Sequence, residues 1–185
     1  MSTQKKLPSH KQCLNWIQEK NPANIVQHSL QVNKVAMFLG KKLQEKGQKI
    51  DLELLDRASL LHDLDKFETL KTGNHGFTAG KWLRKKGFKR IAEVIEHHLT
   101  NRILDSDFNE WPWEDKLVNY SDRRIVHTKI ASLKERFAYL IQTYGTTPER
   151  KNTLKKAGQK FLKFETQLKK ILKSSLSSNQ LKKQI

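Results

Sequence analysis

Apolar residues along the 185-residue chain recur at helical intervals of three and four, and no segment shows the strict alternation of a strand. The pattern predicts a short helix over residues 9–20, ended by an Asn-Pro pair, and a longer helix over 23–46. On the longer helix His28 shares a face with four apolar residues, Val32, Val35, Leu39 and Leu43. A lone histidine on such a face is usually a hydrogen-bonded core residue.

The third predicted helix leads into the most informative dipeptide of the chain, His62-Asp63. Asp51 is a suitable N-cap for it, and its inward residues are apolar: Leu54, Leu55, Ala58 and Leu61. Residues 64–74 have a looser pattern and are expected to form a loop or a distorted turn. Two histidines on separate inward faces, one of them followed by Asp, favour a metal site over two core histidines.

Three further helices carry polar residues on apolar faces. One is predicted over 75–87 and begins at His75, and the next over 88–99 turns His98 inward with Ile91, Val94 and Ile95. His97 lies about 100° away around that helix and is the competing inward residue. A proline-aromatic stretch at 111–115 begins the last, where Asp122 lies on the apolar side and needs a partner. This helix is expected to continue to the break at Gly145.

The C-terminal segment has the most regular pattern, an apolar seam surrounded by lysines: Leu154, Ala157, Phe161, Phe164, Leu168 and Ile171. Such a seam predicts a helix docked on the body of the protein or on a partner chain, which includes a homodimer. A nucleic-acid-binding or membrane-surface helix is the alternative. Residues 174–185 are expected to be frayed. The predicted division is a domain over 1–148 and a basic helix with a frayed tail over 149–185.

The formal net charge of +17 is unevenly distributed. Residues 150–185 hold eleven basic residues and one acid, a net +10, and the first 149 residues hold the other +7. A positive field of this kind attracts phosphorylated partners. The other interpretation is a solvated lysine face that keeps a small protein in solution.

Composition excludes several kinds of protein. The length suits one domain with a genuine core. Cys13 is the only cysteine, which excludes an internal disulfide and a cysteine-based zinc cluster. No apolar stretch follows the charged N-terminal residues, and nowhere do 18 apolar residues run consecutively, so neither a secretory signal nor a membrane span is expected. The chain is expected to be a soluble cytoplasmic protein.

Two histidines and two aspartates, at His28, His62, Asp63 and Asp122, supply two imidazoles and two carboxylates. This ligand set suits a catalytic divalent metal better than a closed structural site, because it leaves coordination positions open. Mixed nitrogen and oxygen ligands admit Mn, Fe, Co, Ni, Zn or Mg, so the identity of the metal is left open.

The order of these residues resembles the HD superfamily of metal-dependent phosphohydrolases, most closely its small HDIG-type members. The resemblance is carried by His28 and four motifs in order: LLHDLDK at 60–66, HGFTAG at 75–80, VIEHH at 94–98 and YSDRR at 120–124. It implies an all-α fold, a single compact helical HD-domain bundle to which the basic amphipathic C-terminal helix is added. Asp65 departs from the pattern, since it stands where the usual motif has glycine.

The resemblance also implies roles for particular residues. The four residues of the ligand set above match the metal ligands that define the superfamily. His75 and His98, with His97 as the alternative to His98, match ligands of members that bind a second metal. Lys66, Arg123 and Arg124 match basic positions suited to the substrate phosphate. Asp63, Lys66 and Asp65 are the candidate catalytic residues. Either Asp65, or Glu68 one turn later, orients the attacking water, or the acidic group simply pairs with Lys66.

The resemblance implies a metal-dependent phosphohydrolase that uses one or two divalent ions and acts on a nucleotide or a related phosphate ester through metal-activated water. Phosphomonoesters, cyclic nucleotides and dinucleoside polyphosphates all stay open as substrates. A different class of function is a regulatory HD module that binds RNA or DNA through its basic tail.

Overall fold

The computed structural model describes residues 6–104 and 107–185. The N-terminal residues that were tested for a secretory signal in the sequence therefore lie partly outside the described residues. Helices dominate the described part, as the all-α prediction requires. The α-helices there are α1 (His10–Lys20), α2 (Ala23–Gln44), α3 (Leu52–Leu61), α4 (Lys66–Thr69), α5 (Phe77–Lys85), α6 (Lys89–His97), α7 (Trp113–Asp122), α8 (Leu133–Tyr144), α9 (Pro148–Leu172) and α10 (Ser178–Gln184). Two 3₁₀ helices span Arg102–Leu104 and Phe108–Glu110.

The central layer of the bundle is formed by α2, which packs against α3 and α7, while α3 also contacts α6. The face of α2 predicted to be apolar is buried, and it takes His28 into the interior with it. Asp51 caps α3 as predicted, because its side chain accepts a 2.9 Å hydrogen bond from the backbone of Leu54. The long buried faces of these helices therefore set the direction in which their polar residues point.

The prediction of one helix from residue 111 to Gly145 is wrong. The helix ends at Asp122, and a two-stranded antiparallel hairpin follows, β1 (Ile125–Val126) and β2 (Lys129–Ile130). A new helix, α8, then begins at a capping box in which Ser132 and Glu135 each bind the other's backbone N–H. The expectation that the chain has no strand is also wrong, because of this hairpin.

The helix α9 packs mainly against α8 and buries its apolar seam, so it is docked on the body of the chain. The structure differs from the expected frayed tail. Leu176 and Leu181 are buried, and Ser177 caps α10, because its side chain accepts a 3.2 Å hydrogen bond from the backbone N–H of Gln180. No helix in the described ranges is long and apolar enough to cross a membrane.

Arg124, predicted to contact a substrate phosphate, instead joins the C-terminal elements to the body. Its side chain is 1% exposed, and its guanidinium lies 3.1 Å from Glu165 on α9 and 2.6 Å from the Tyr120 hydroxyl. It also donates to the backbone oxygens of Ala131 and Leu176. A guanidinium held by four partners in the interior has a structural role.

Candidate metal centre

Six side chains from separate parts of the chain converge in the interior as two neighbouring groups of potential metal ligands. The first group is His28, His62 and Asp122, and the second is Asp63, His75 and His98. Within each group the ligand atoms lie within 4.8 Å of one another. All six are residues that the sequence predicted as ligands.

The first group lies where three helices meet. His28 comes from α2, His62 directly follows α3, and Asp122 is the last residue of α7. The Nε2 atom of His28 is 3.1 Å from Oδ1 of Asp122, and Nε2 of His62 is 4.0 Å from the same oxygen. These three side chains are buried, so their charges and lone pairs are shielded from water.

The second group is formed by residues on the other side of Asp63. His75 precedes α5 and His98 follows α6, and their Nε2 atoms are 3.1 Å apart. The Oδ1 atom of Asp63 is 3.0 Å from Nε2 of His75 and 3.8 Å from Nε2 of His98.

Asp63 faces both groups at once, one carboxylate oxygen to each. While Oδ1 faces the second group, Oδ2 is 3.7 Å from Nε2 of His28 and 3.5 Å from Nε2 of His62. A carboxylate with its two oxygens divided in this way has the arrangement needed to bridge two cations.

The four histidines are oriented by their other ring nitrogens. In three of them Nδ1 lies at hydrogen-bond distance from a backbone oxygen: His28 at His127, His62 at Ser59 and His98 at Ile95. A carbonyl oxygen only accepts, so Nδ1 carries the proton and the lone pair of the neutral ring is on Nε2. Each Nε2 faces the centre, as in histidines that bind metals.

Burial keeps these rings neutral. It lowers the pKa of His28 to about 4 and that of His62 to about 3, and it holds the pKa of His98 well below the usual value. The Nε2 atom of His62 is buried and has no hydrogen-bond partner among the described residues. A buried polar atom left without a partner is costly. The donor set and this orphaned nitrogen therefore fit a bound divalent metal.

His75 differs from the other three because its Nδ1 lies 2.8 Å from a carboxylate, that of Asp65. Burial alone would lower the pKa of His75, but hydrogen bonds to Asp63 and Asp65 outweigh burial and raise the pKa to about 9. The position between the two carboxylates thus favours a positive charge, whether a proton on the ring or a bound cation.

Asp65 does not pair with Lys66, and its carboxylate contacts His75 and the beginning of α5 instead. Its buried carboxylate accepts hydrogen bonds from Nδ1 of His75, from the backbone of Gly76 at 3.0 Å and from the backbone of Ala79 at 2.7 Å. Ala79 is the third residue of α5, and its backbone N–H is one that an N-cap side chain would satisfy. The N-cap residue of α5 is Gly76, which has no side chain to do so. Asp65 therefore fixes both His75 and the beginning of α5.

Lys66 pairs with Asp63 and not with Asp65. Its ammonium is 2.8 Å from Oδ2 of Asp63, and its side chain is 34% exposed, so it lies at the edge of the centre. Burial would raise the pKa of Asp63, but Lys66, His62 and His75 hold it well below the ordinary value. The carboxylate that faces both groups is consequently ionised.

Arg123 and Arg136 surround Asp122. A guanidinium nitrogen of Arg123 donates to Oδ2 of Asp122, and Nη2 of Arg136 is 3.4 Å from Oδ1. Arg123 is buried and also donates to Thr100 at 2.7 Å. Burial, and then the neighbouring Arg136, lower the pKa of Arg123 to about 9. In this arrangement Arg123 orients Asp122 and is not exposed to a substrate.

His97 lies outside the centre. Its Nδ1 is 2.6 Å from Asp115, and its ring stacks on Trp111 with centroids 4.4 Å apart. The structure therefore brings His98, and not its alternative, to the second group. One group that orients a ligand could not be predicted from the sequence, namely the backbone oxygen of His127, which lies at hydrogen-bond distance from Nδ1 of His28. The hairpin places this oxygen, and the pattern of side chains does not indicate the position of a backbone group.

Comparisons with known proteins agree with this geometry. The family model described as HD domain matches residues 25–136, a range that includes all six side chains of the centre. An uncharacterized protein of Methanocaldococcus jannaschii, MJ0778, is 30% identical over 117 residues, which are 57% of this chain and 69% of the relative. No solved structure matches the chain.

Proposed function

The chain belongs to the HD-domain family, a family of metal-dependent phosphohydrolases, and from this premise we propose that it hydrolyses a nucleotide or a related phosphate ester. One observation carries the proposal: the two oxygens of Asp63 face two separate ligand groups, 3.0 Å from His75 on one side and 3.5 Å from His62 on the other. A structural metal site would require only one such group.

The residues divide into two binding groups that share Asp63. His28, His62 and Asp122 would hold one divalent ion, and His75 and His98 would hold the other. When bound, such ions lower the pKa of water toward about 7 and offset the charge of a phosphoryl group. The imidazole and carboxylate ligands admit Mn, Fe, Co, Ni, Zn or Mg.

Lys66 is the residue of the centre best suited to contact the substrate phosphate. Among the described residues, Lys66 is the only lysine or arginine that both pairs with Asp63 and is substantially exposed. Its flexible ammonium can turn from Asp63 to a phosphoryl oxygen when a substrate arrives. Arg123, by contrast, is occupied by Asp122 and Thr100.

Exposed apolar residues that are close in sequence to Lys66 and His75 support a substrate with a planar base. Five large apolar side chains are exposed in the described ranges, and three lie in the short segment around Lys66 and His75: Phe67 at 56%, Leu70 at 66% and Phe77 at 55%. Exposed apolar groups beside a polar site are typical of ligand recognition. Nucleobases stack on aromatic rings, so the exposed rings of Phe67 and Phe77 favour a nucleotide as the substrate.

The experiment that tests the proposal is a hydrolysis screen of metal-free protein reconstituted with each divalent ion. Substrates are nucleoside monophosphates, cyclic nucleotides, dinucleoside polyphosphates and ribose 5-phosphate, which has no base. We expect phosphate release that requires a metal. Absence of metal-dependent hydrolysis with every substrate would contradict the proposed activity.

Substitution of Phe67 and Phe77 by alanine tests the preference for a base. We expect kcat/KM for the best nucleotide to fall roughly 10- to 100-fold, the value of lost base stacking, and kcat/KM for ribose 5-phosphate to change little. Leu162→Ala is the matched control, because Leu162 is 48% exposed on α9. An equal loss for both substrates would show that the two rings do not recognise a base.

A further inference from the structure

The solvent-facing side of α9 is rich in lysine, and beyond Glu149 its exposed residues include no acid. The apolar seam of this helix is buried against the body, so the lysines around the seam are left facing outward. The one acid beyond residue 149 is Glu165, which lies 3.1 Å from Arg124 and 2.6 Å from Lys169. Since Glu165 is already paired, it does not offset the outward-facing lysines.

A groove of about 380 Å³ lies between α9 and the 3₁₀ helix Phe108–Glu110. Three lysines of α9 line it, Lys156, Lys160 and Lys163, together with side-chain amides such as Gln159 and the ring of Phe108. Among the described residues no acid lines this groove. Its chemistry is therefore that of a site for an anion that also carries hydrogen-bonding groups.

The spacing of the lysines indicates an extended ligand. Lys156, Lys160 and Lys163 are four and three residues apart, which places their α-carbons about 6 Å and about 4.5 Å apart along the helix axis. A line of cations suits a chain with regularly repeated charges, as in a phosphodiester backbone. One compact anion would use only part of this line.

The volume of the groove and its side-chain amides favour a single-stranded nucleic acid over a duplex. A space of about 380 Å³ is at the lower end for small-ligand pockets and does not admit a duplex. Gln159 and Gln167, with Asn109 opposite, can each donate and accept hydrogen bonds. The edges of unpaired bases present such groups, whereas in a duplex most of them are occupied.

We propose that this groove binds single-stranded nucleic acid, with the lysines on successive phosphates and the amides at base edges. The site uses none of the residues of the metal centre, so it is independent of the proposed hydrolysis. The proposed binding site also gives a role to the lysines of α9, which take no part in the metal centre.

Charge reversal of two groove lysines tests the proposal in the full-length protein. The variant is Lys156→Glu with Lys163→Glu; both side chains are exposed, and neither forms an ion pair in the described part of the chain. The matched control is Lys34→Glu with Lys41→Glu on α2, also exposed and also seven residues apart. Circular dichroism checks that both variants keep the helical fold.

Fluorescence anisotropy is measured with a labelled single-stranded RNA, a DNA of the same sequence and the corresponding duplex, between 50 and 200 mM salt. We expect the groove variant to bind single strands roughly tenfold more weakly than the control. We also expect its slope of log affinity against log salt to be shallower by about 1.4, which is 0.7 for each lost phosphate contact.

Several results would overturn the proposal. The proposal is wrong if the wild-type protein does not bind single strands, or if it binds the duplex more tightly than single strands. It is also wrong if the groove variant and the control variant lose the same amount of affinity for single strands. Stronger binding to vesicles of anionic phospholipid or to a polyglutamate peptide than to single strands would assign the groove to another partner. The hydrolysis of small substrates should be unchanged in both variants, which separates this test from that of the metal centre.

Discussion

Asp63→Ala is expected to abolish metal binding at both groups and to reduce kcat/KM by more than about 10³-fold, because one carboxylate serves both. Its two oxygens lie 3.0 Å from His75 and 3.5 Å from His62, so its removal takes a ligand from each group. Metal content after reconstitution, measured by elemental analysis, checks the first part, and the hydrolysis assay checks the second. Asp63→Asn, which keeps the shape of the side chain, distinguishes loss of charge from loss of packing.

The control for this substitution is Asp56→Asn. Asp56 is another buried carboxylate, on α3, and its partners His10, Asn33 and Arg57 lie outside the centre. We expect this variant to lose up to about 3 kcal/mol of unfolding free energy and to keep its metal. If Asp63→Ala retained full metal content and activity, the bridging role of Asp63 would be wrong.

Asp65→Ala is expected to weaken the second group selectively. The substitution removes the acceptor that orients His75 and leaves the backbone N–H groups of Gly76 and Ala79 without a partner. Loss of such an outer partner typically lowers metal affinity about 10- to 100-fold. The orphaned donors would also cost about 1–3 kcal/mol of unfolding free energy.

Calorimetric titration of the metal-free variant checks this prediction, since it resolves a weakened binding event beside an unchanged one. Asp51→Ala is the matched control, because it removes a helix N-cap at α3 without touching the centre. The control should be less stable and should bind metal as the wild type does. Equal weakening of both binding events in Asp65→Ala would argue for a general loss of structure.

The sequence could predict that the candidate ligands point inward, because each lies on, or directly beside, a helix with a regular apolar face. His28 and Asp122 share faces with buried apolar residues, so periodicity alone points them inward. The choice between His97 and His98 could not be made in this way, since both lie near the margin of one face. Asp115 on the neighbouring helix decides it by binding His97.

The remaining differences arise from contacts between distant segments. The break after Asp122 depends on the hairpin, in which Arg124 binds Ala131 and the carbonyl of His127 reaches His28. The role of Asp65 depends on His75, ten residues further along the chain, and on Ala79 in the first turn of α5. Helical periodicity contains no information on such pairings, so the sequence could identify these residues but not their partners.

The number of divalent ions bound by the wild-type chain tests the central claim most directly. Metal-free protein is titrated with Mn²⁺, Zn²⁺ and the other candidate ions, and the bound metal is measured after removal of the excess. Two ligand groups that share Asp63 predict two ions per chain for at least one metal. A chain that binds no ion after reconstitution with any of them, or never more than one, would contradict the account.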